Sequence, residues 1–558
     1  MTAQSNGSPN GSHGNDNRGL AAGANPGVAF GRFGPMFDTV PARKLPVEAL
    51  RALAQAMIKE DDGKPITEDE PVDENPFIPA GYTYFGQFID HDITFDPTPL
   101  SAKTTDPDAL VDFRSPALDL DNVYGRGPDD QPYMYNGIRL RVGAQPPGAG
   151  GAIVGTKADL FRLPDGTPIL GDKRNDENKI VSQFHGALIQ LHNKVVGQDE
   201  LLAAFGADLQ SDAGRFRAAA ALVRWHYQWV VVFDYLYRIC QPDIVTEVLN
   251  FGGTPRLQHY LKQEAAYAYM PIEFSGAAFR FGHSMVRPSY ALNAKIIAAK
   301  KGDPKKTRIP TFNRDADVAQ NLNGFPGTLP EDWGLDFSFY LDDLSKGKGV
   351  PKNFKIPQPS YRIDALLVSP LRDLPEFFKE TDTPEKKATL VSHLAFRNLQ
   401  RGQMLGLPSG EAVAHLLGAT PLPEDILWTA GSRLLDIAKL PGNTKEDLDK
   451  TNEQRAVIRK DWVNGNGGPL KDNTPLWYYI LREAEYHGVT HKPDDPAIGF
   501  GGQHLGPVGS RIVAETLIGL LWLDKASFLH DLRGFQPLPQ ITKDRKLTLS
   551  VLIEYALT

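Results

Sequence analysis

The stretch YFGQFIDHDITFDP, residues 84–97, places a dense group of polar side chains inside an apolar run. Gln87, Asp90, His91 and Asp92 fall within six positions, and aromatic and aliphatic residues surround them. A buried carboxylate is costly unless it is paired, binds a metal ion or is used covalently. The two carboxylates on either side of one histidine are therefore predicted to have separate roles.

Bulk composition restricts the class of protein. The chain has 558 residues, of which 41% are hydrophobic and 23% charged. Both fractions are ordinary for a globular protein, and the length allows about three or four domains or one large decorated domain. The net charge of −8 argues against nucleic acid or an anionic membrane as the main partner, since both attract basic surfaces.

Cysteine content and the N-terminus bear on location. The one cysteine, Cys240, cannot form an intramolecular disulfide, which favours a reducing compartment. Residues 1–26 are rich in Gly, Ser and Asn without an apolar core, which predicts a disordered tail and not a secretory signal. We therefore expect a cytoplasmic location, although export by an unrecognised route stays open.

The most hydrophobic segment, AAAALVRWHYQWVVVFDYLY at residues 218–237, is interrupted by Arg224, His226 and Asp234. These polar residues favour a buried core helix over a membrane span.

Hydrophobic periodicity predicts a mainly α fold with long ordered loops and few short strands. Residues 82–90 fit either a helix or a short buried strand. Residues 93–170 and 291–385 are rich in Gly, Pro and Asp and predict loops. Predicted helices cover residues 46–60, 176–205, 214–240, about 385–404, 409–417, 422–439, 475–487 and 507–522.

Three further sequence segments contain polar residues that are candidates for catalysis or ligand binding. GDKRNDENK (171–179) contains Arg174 and Glu177, AFRFGHSMVRP (278–288) contains Arg280 and His283, and AFRNLQRGQ (395–403) contains Asn398 and Arg401. Each alone has an ordinary structural reading: a charged turn, a packed core and an exposed helix face, respectively. Asn398 and Arg401 are one helical turn apart and share a face.

Taken together, in this order, the motifs GQFIDHD, RNDE, FRFGH and RNLQR resemble the animal-type haem peroxidases of the peroxidase–cyclooxygenase superfamily, the group of lactoperoxidase and myeloperoxidase. The resemblance covers roughly residues 80–535. It implies the mainly α animal haem peroxidase fold, a bacterial-type single domain over residues 27–558, and haem b as cofactor.

The resemblance assigns the two sides of a haem. His283 matches the proximal iron ligand, and Asn398 matches the residue that contacts its other ring nitrogen. His91 matches the distal histidine, a general acid–base towards peroxide. Arg174 matches the distal arginine, which stabilises developing negative charge, and Gln87 matches a glutamine that orders water or a halide.

Further haem contacts follow from the same resemblance. Asp90 and Glu177 match two carboxylates that are esterified to haem methyl groups in mammalian members. Myeloperoxidase-like members carry a methionine directly after that glutamate, whereas this chain has Asn178. At most two ester links and no sulfonium link are therefore expected. Arg280 and Arg401 match arginines beside the haem propionates.

The resemblance also implies calcium. Asp92 matches a Ca²⁺ ligand, and the downstream loop SPALDLDNVYG (115–125) would complete the site with oxygen donors. DLD alone is typical of an acidic turn, and Asp121 stands where mammalian members usually have serine. The ion would fix the segment that carries His91. The expected ligands are Asp92, Ser115, the Ala117 carbonyl, Asp119 and Asp121.

Other histidines have plainer interpretations. We expect structural roles for His185 and His192, and packing for His393. No convincing ligand spacing involves His487, His491 or His504.

The implied activity is reduction of H₂O₂ through a ferryl intermediate and oxidation of a small donor such as iodide, bromide, thiocyanate or a phenol, with a role in the response to oxidative stress. Three alternatives stay open. Fatty-acid dioxygenases of the superfamily carry a tyrosine three residues before the proximal histidine, where this chain has Arg280. A catalytically silent binding or adhesion protein could keep the fold. A tailoring peroxidase could act on an organic substrate.

Overall fold

Helices form most of the regular structure. The computed structural model describes residues 31–37, 41–59, 74–95, 111–143, 148–203, 205, 208–261, 267–299, 307–312, 321–324, 327–350, 354–374, 377, 383, 390–429, 453–488, 501–531 and 534–558. Its helices are α1 Val47–Gln55, α2 Gly81–Ile93, α3 Asp121–Tyr124, α4 Val181–Val195, α5 Asp199–Ala203, α6 Asp212–Val230, α7 Leu236–Ile239, α8 Pro242–Leu249, α9 Ile272–Gly276, α10 Ala294–Ala299, α11 Leu394–Met404, α12 Gly410–Leu416, α13 Glu424–Leu427, α14 Leu476–His487, α15 Pro507–Leu523 and α16 Leu549–Leu557.

Strands within the described residues are short and pair in four small sheets. They are β1 Gly31–Gly34, β2 Glu74–Pro79, β3 Val111–Asp112, β4 Tyr135–Asn136, β5 Arg139–Leu140, β6 Met270–Pro271, β7 Ser289–Tyr290, β8 Ile309–Pro310 and β9 Pro359–Tyr361. β1 pairs antiparallel with β3 and parallel with β6, and the pairs β2–β9, β4–β5 and β7–β8 are antiparallel. The predicted mainly α class is confirmed.

The run around His91 is helix α2 and not a strand. Eleven of its thirteen residues are buried, as expected for a helix that is apolar on nearly all sides. Gly86 is required within it, because a Cβ atom there would lie 2.3 Å from the Tyr235 hydroxyl. This close approach packs α2 against the π-helical turn Val231–Tyr235, which follows α6. Gln87, Asp90 and His91 of α2 line an interior cavity.

The predicted helix 214–240 is confirmed as one nearly continuous segment. α6 passes through a π-helical turn, Val231–Tyr235, into α7. Such π-helical turns are rare and occur frequently at functional sites. No helix in the described ranges combines the length and apolar character that crossing a bilayer requires.

The predicted single helix 176–205 is wrong in its extent. Residues Lys173–Asp176 form a 3₁₀ turn, α4 begins only at Val181, and α5 is separate. The reason is that the Asp172 side chain accepts a hydrogen bond from the Arg174 amide, which caps the short turn instead of a long helix.

The remaining helix predictions agree with shorter observed elements. α1, α11, α12, α14 and α15 lie within or at the predicted ranges, and α13 is the described part of 422–439. Residues 430–450 and the predicted tail 1–26 lie outside the described residues. The C-terminal helix α16 was not predicted.

Candidate active site

A cavity of about 460 Å³ lies between α2, the 171–179 segment, the 3₁₀ helix Ala278–His283 and α11. This volume is within the usual range for small-molecule and cofactor sites. Every residue that the sequence suggested for the haem surroundings contributes to its wall, namely Gln87, Asp90, His91, Arg174, Glu177, Arg280, His283, Asn398 and Arg401.

His91 is held between two side chains. Its Nδ1 lies 2.8 Å from Asn175 Oδ1, and its Nε2 lies 3.3 Å from Glu177 Oε1. The Gln87 amide donates to the same Glu177 oxygen at 2.6 Å. Burial raises the pKa of Glu177, but the nearby His91, Arg174 and Gln87 outweigh it, so that this pKa lies below its usual value. The Nε2 edge of His91 therefore faces the cavity.

Arg174 enters the cavity wall from the 3₁₀ turn. Its Nη2 pairs with Asp172 at 2.7 Å and donates to the backbone carbonyls of His91 and Thr94. Its guanidinium also lies over the Phe95 ring, 4.7 Å from the centroid. Burial raises the pKa of Asp172, but Arg174, Arg114 and His91 outweigh it and hold that pKa well below its usual value. Asp172 therefore fixes Arg174 as an ionised partner.

Arg174, Glu177 and Asn178 of the 171–179 segment line the cavity, whereas Asn175 and Asp176 are buried in the protein interior. Asp176 forms a bidentate pair with Arg162, at 2.6 and 2.7 Å, and Asn178 Oδ1 accepts from the Ile180 amide. Gly324 lies so close that a Cβ atom would meet the Asp176 carbonyl. The segment is therefore largely buried and paired, and the reading as a solvated charged turn does not hold.

His283 ends the 3₁₀ helix and meets Asn398 of α11. Its Nδ1 lies 2.8 Å from Asn398 Nδ2. Burial, and then Arg280 and Arg401, lower the pKa of His283 to about 3, so the ring is neutral, as a metal ligand must be. For iron at Nε2, Nδ1 would carry the proton, and turning the Asn398 amide over would supply the accepting oxygen.

Cations concentrate on the same side of the cavity. Arg280, Arg397 and Arg401 all line it. Burial and the neighbouring Arg401 and Arg397 lower the pKa of Arg280 to about 9. The Arg280 Nε donates to the Ser275 carbonyl, and Trp477 Nε1 donates to the Arg280 carbonyl. Three guanidinium groups at one buried wall favour an anionic ligand.

These observations fit haem. A neutral histidine could ligate the iron, the arginines could pair with propionates, and Asp90 and Glu177 line the same space. The residues present therefore suit the cofactor that the motifs imply.

A second cluster lies behind α2. Carboxylate oxygens of Asp92, Asp119 and Asp121 lie within 4.8 Å of one another. Neither Asp92 oxygen accepts a well-formed hydrogen bond among the described residues, although the Leu120 amide and the Tyr227 hydroxyl are near enough to lower its pKa slightly. Burial, Asp119 and Asp121 raise the pKa of Asp92, and burial raises that of Asp121 to about 7. Buried oxygen donors without partners are what a hard cation such as Ca²⁺ requires.

The other predicted calcium ligands lie in the same loop. The Ser115 hydroxyl donates to Asp119, and Ala117 is buried beside it. Leu120 adopts a left-handed conformation, with φ of 61°, between the two loop aspartates. Among the described residues, the Ala117 carbonyl is not placed in contact with the three carboxylates.

A chain of charges joins this cluster to Arg174. Arg114 pairs with Asp121 at 3.0 Å and with Asp172 at 2.8 Å, and Asp172 pairs with Arg174. Arg114 thus balances the negative charge of Asp121. It also connects the cluster behind α2 to the distal side of the cavity.

Sequence reasoning missed several residues of the site: Asp172, Asn175, Arg114 and Tyr235. Asn175 and Asp172 stand inside a motif that was singled out, but polar residues of a turn gave no signal of their direction. Tyr235 lines the cavity from the π-helical turn, which hydrophobic periodicity cannot distinguish from ordinary helix.

The other histidines have local partners. His185 contacts Asn175 and His192 contacts Tyr124, while His393 accepts from the Phe396 amide at the start of α11. His504 contacts the Leu505 carbonyl. His487 ends α14, and His491 lies outside the described residues.

A family model described as animal haem peroxidase matches residues 101–325. The match includes Arg174 and His283. His91 and Asn398 lie outside that span, and their assignment rests on the motifs and on their position in the cavity. No curated protein matches the sequence.

Solved structures share the animal haem peroxidase fold. Peroxidase A from Dictyostelium discoideum is 15% identical with a TM-score of 0.54, over 95% of this chain and 93% of that one. A variant of the Oryza sativa fatty acid alpha-dioxygenase with palmitic acid is 13% identical with a TM-score of 0.50, over 93% and 78% of the respective chains. At these identities the likeness establishes the fold alone.

Proposed function

We propose that the protein is a haem-dependent peroxidase that reduces H₂O₂ and oxidises a small donor. The observation that carries the proposal is that His91, Arg174 and His283 line one cavity. The neutral state of His283 suits iron ligation, and His91 presents a ring nitrogen to the same space. A catalytically silent binding protein would not need both histidines and Arg174 at one wall.

Bound haem would supply the redox chemistry, and the residues of the chain would manage protons and charge. His91 Nε2 would take a proton from H₂O₂ and return it to the leaving oxygen. Arg174, fixed by Asp172, would stabilise the negative charge that develops on the departing oxygen. Gln87, already hydrogen-bonded to Glu177, would order water or a small anion beside His91.

Covalent attachment is proposed through Asp90 and Glu177, each of which would replace one hydrogen of a haem methyl group, with H₂O₂ as the two-electron oxidant that is reduced to water. Both carboxylates line the cavity, and an ester would remove their buried charge. Ester formation at Glu177 would also remove the anion that lies 3.3 Å from His91 Nε2. That change would release the ring nitrogen for proton transfer.

Calcium is proposed at the cluster of Asp92, Asp119 and Asp121, with Ser115 and the Ala117 carbonyl as further ligands. Asp92 directly follows His91 in α2. A cation bound there would anchor the C-terminal turn of that helix and so hold His91 in place.

Fatty-acid dioxygenation is the main competing activity, because an alpha-dioxygenase shares the fold. The position three residues before His283 is Arg280, whose Nε donates to a backbone carbonyl. That residue cannot supply the tyrosyl radical that dioxygenases require there. Halides, thiocyanate, phenols or a larger organic donor all fit the proposal.

Two assays separate these activities. The haem-loaded protein should oxidise iodide or guaiacol with H₂O₂ and should not consume O₂ with palmitate. O₂ uptake with palmitate, without donor oxidation, would overturn the peroxidase proposal. His91→Ala should lose most donor oxidation, whereas the exposed His415→Ala should not.

A cytoplasmic location and the bacterial-type subtype are part of the same proposal. The location rests on the single cysteine, Cys240, which is buried, and on the composition, whereas the subtype rests on the resemblance of the motifs alone. Fractionation of the native cells, with the protein followed by antibody, tests the location.

A further inference from the structure

Asn175 lies behind the distal histidine and joins it to a second histidine. Its side chain is fully buried. Its Oδ1 lies 2.8 Å from His91 Nδ1, and its Nδ2 lies 2.9 Å from His185 Nδ1. His185 is also fully buried, on α4. The three side chains form a line that starts at the cavity wall and ends in the core.

The direction of the Asn175 amide determines where protons lie on both rings. The amide nitrogen can only donate, so His185 Nδ1 must accept. Burial lowers the pKa of His185 to about 4, so this ring is neutral and able to accept. The amide oxygen can only accept, so His91 Nδ1 must carry a proton. The neutral His91 ring then has its lone pair on Nε2, which can act as a base towards the cavity once Glu177 no longer carries its negative charge, as in the proposed ester.

We propose that Asn175, oriented by His185, is a positioning residue that holds the proton of His91 on Nδ1 and leaves Nε2 as the base. The consequence for peroxide rests on the proposed function, whereas the contact between the three side chains does not. Other charged groups around His91 are Glu177 at Nε2, Arg174 at its carbonyl, and Asp172 behind Arg174.

The opposite amide direction would reverse this pattern. With the amide turned over, Asn175 would donate to His91 Nδ1, and His91 Nε2 would carry the proton and donate to Glu177. Amide directions are assigned from their hydrogen-bond partners, so the tautomer of His91 is the deciding observable. The two arrangements predict different protonated ring nitrogens and are directly distinguishable.

The first experiment uses the haem-free Glu177→Gln chain as its parent, with ¹⁵N-labelled histidine, so that no carboxylate at His91 Nε2 competes for the ring proton. Nitrogen chemical shifts report which ring atom carries the proton, and His91→Gln identifies the His91 signals. We expect the Nδ1-protonated form in the parent and in Asn175→Asp, which keeps an acceptor. Asn175→Leu should lose that single form. An Nε2-protonated parent, or an unchanged tautomer in Asn175→Leu, would overturn the proposal.

The second experiment measures the haem-loaded protein with H₂O₂ by stopped flow. Asn175→Leu should react about tenfold or more slowly, while Asn175→Asp should stay within about threefold of the parent. Asn473→Leu removes another buried amide, far along the chain, and should leave the rate unchanged. Equal slowing in all three variants would point to general destabilisation and would contradict a positioning role.

If Asn175→Leu does not fold, His185→Leu provides a second test of the proposal. His185→Leu removes the group that orients the amide without touching the cavity wall. It should give a mixture of His91 tautomers, and a single unchanged tautomer would contradict the role of His185. Failure to bind haem would defeat the proposed function but would leave the tautomer result in force.

Discussion

The two histidines of the cavity each contact polar side chains that fix their orientation. His91 has Asn175 and Glu177, and His283 has Asn398. Removing one partner of a buried pair leaves the other without compensation, which costs more than the net contribution of the bond. Single substitutions at these histidines should therefore separate haem binding from the reaction with H₂O₂.

His283→Ala should abolish or strongly weaken haem binding, because it removes the neutral ring nitrogen that would ligate the iron.

His91→Ala should keep haem but react with H₂O₂ at least about a hundredfold more slowly, since general acid–base catalysis contributes 10²–10⁴-fold. Absorbance titration with haem and stopped flow measure the two effects, with His415→Ala as control. Full peroxide reactivity in His91→Ala would refute the distal assignment.

The sequence motifs predicted the residues that line the cavity but not the buried residue Asn175 that contacts His91 from behind. His91, Arg174, His283 and Asn398 stand in motifs with recognisable spacing. The partner Asn175 is 84 residues from His91 along the chain, and no local pattern reveals which way its amide points. Contacts of this range are set by the packing of α2 against the 171–179 segment.

At the scale of elements, a buried ionisable side chain caps a helix end. The Glu483 carboxylate on α14 accepts from the amides of Val508 and Gly509 in the first turn of α15. Such contacts satisfy donors that have no partner inside the helix. Burial raises the pKa of Glu483 to about 8, so the group is largely neutral in the folded state at neutral pH.

Glu483→Gln should stabilise the protein at high pH. Because the folded-state pKa is raised, the stability that this carboxyl contributes is complete below its unfolded-state pKa and is lost as pH rises towards about 8. Glutamine keeps the accepting oxygen and cannot ionise. The gain in unfolding free energy should be near zero at about pH 5 and on the order of a few kcal/mol at about pH 8.

Urea unfolding at the two pH values measures this difference. Glu453→Gln, at an exposed position, is the control and should change nothing. A gain that is equal at both pH values would contradict the role assigned to the ionised carboxylate.

Arg114→Met should raise calcium affinity by about tenfold. Arg114 competes with a cation for Asp121, and its removal leaves more negative charge at the three carboxylates. Calorimetric titration of the chelator-treated protein measures the affinity. Arg126→Met, which breaks the pair with Asp130 elsewhere, is the control. An unchanged or lower affinity would show that Asp121 is not a ligand.

Element boundaries were less predictable than element identity. Hydrophobic periodicity predicted α1, α6 and α14, because burial of a helix face sets the helical period of apolar residues. For α2 it left helix and strand as two options. The start of α4 was placed five residues too early relative to Val181, because Asp172 caps a 3₁₀ turn instead. Short-range capping competes with helix propensity and leaves no periodic signal.

The whole molecule is organised around the cavity. Its wall draws on elements from Phe33 in β1 to Leu405 after α11, so a ligand in it would connect segments that are distant in sequence. Groups that bind only the folded chain stabilise it by mass action. Haem and calcium should therefore each act on global stability and not only on activity.

Removing calcium should lower the thermal midpoint by about a few degrees, and haem loading should raise it. Scanning calorimetry of the haem-free chain with Ca²⁺, with Mg²⁺ and with a chelator separates calcium from a general divalent effect. Asp92→Asn should abolish the calcium effect. A midpoint that is insensitive to the chelator would refute the proposed calcium site.

The optical spectrum of the purified, haem-supplied protein tests the central claim most directly. The account predicts a Soret band that changes after one equivalent of H₂O₂ and returns to its starting form when iodide is added. Absence of a Soret band even with added haem, or a band that H₂O₂ leaves unchanged, would contradict the assignment of a peroxidase.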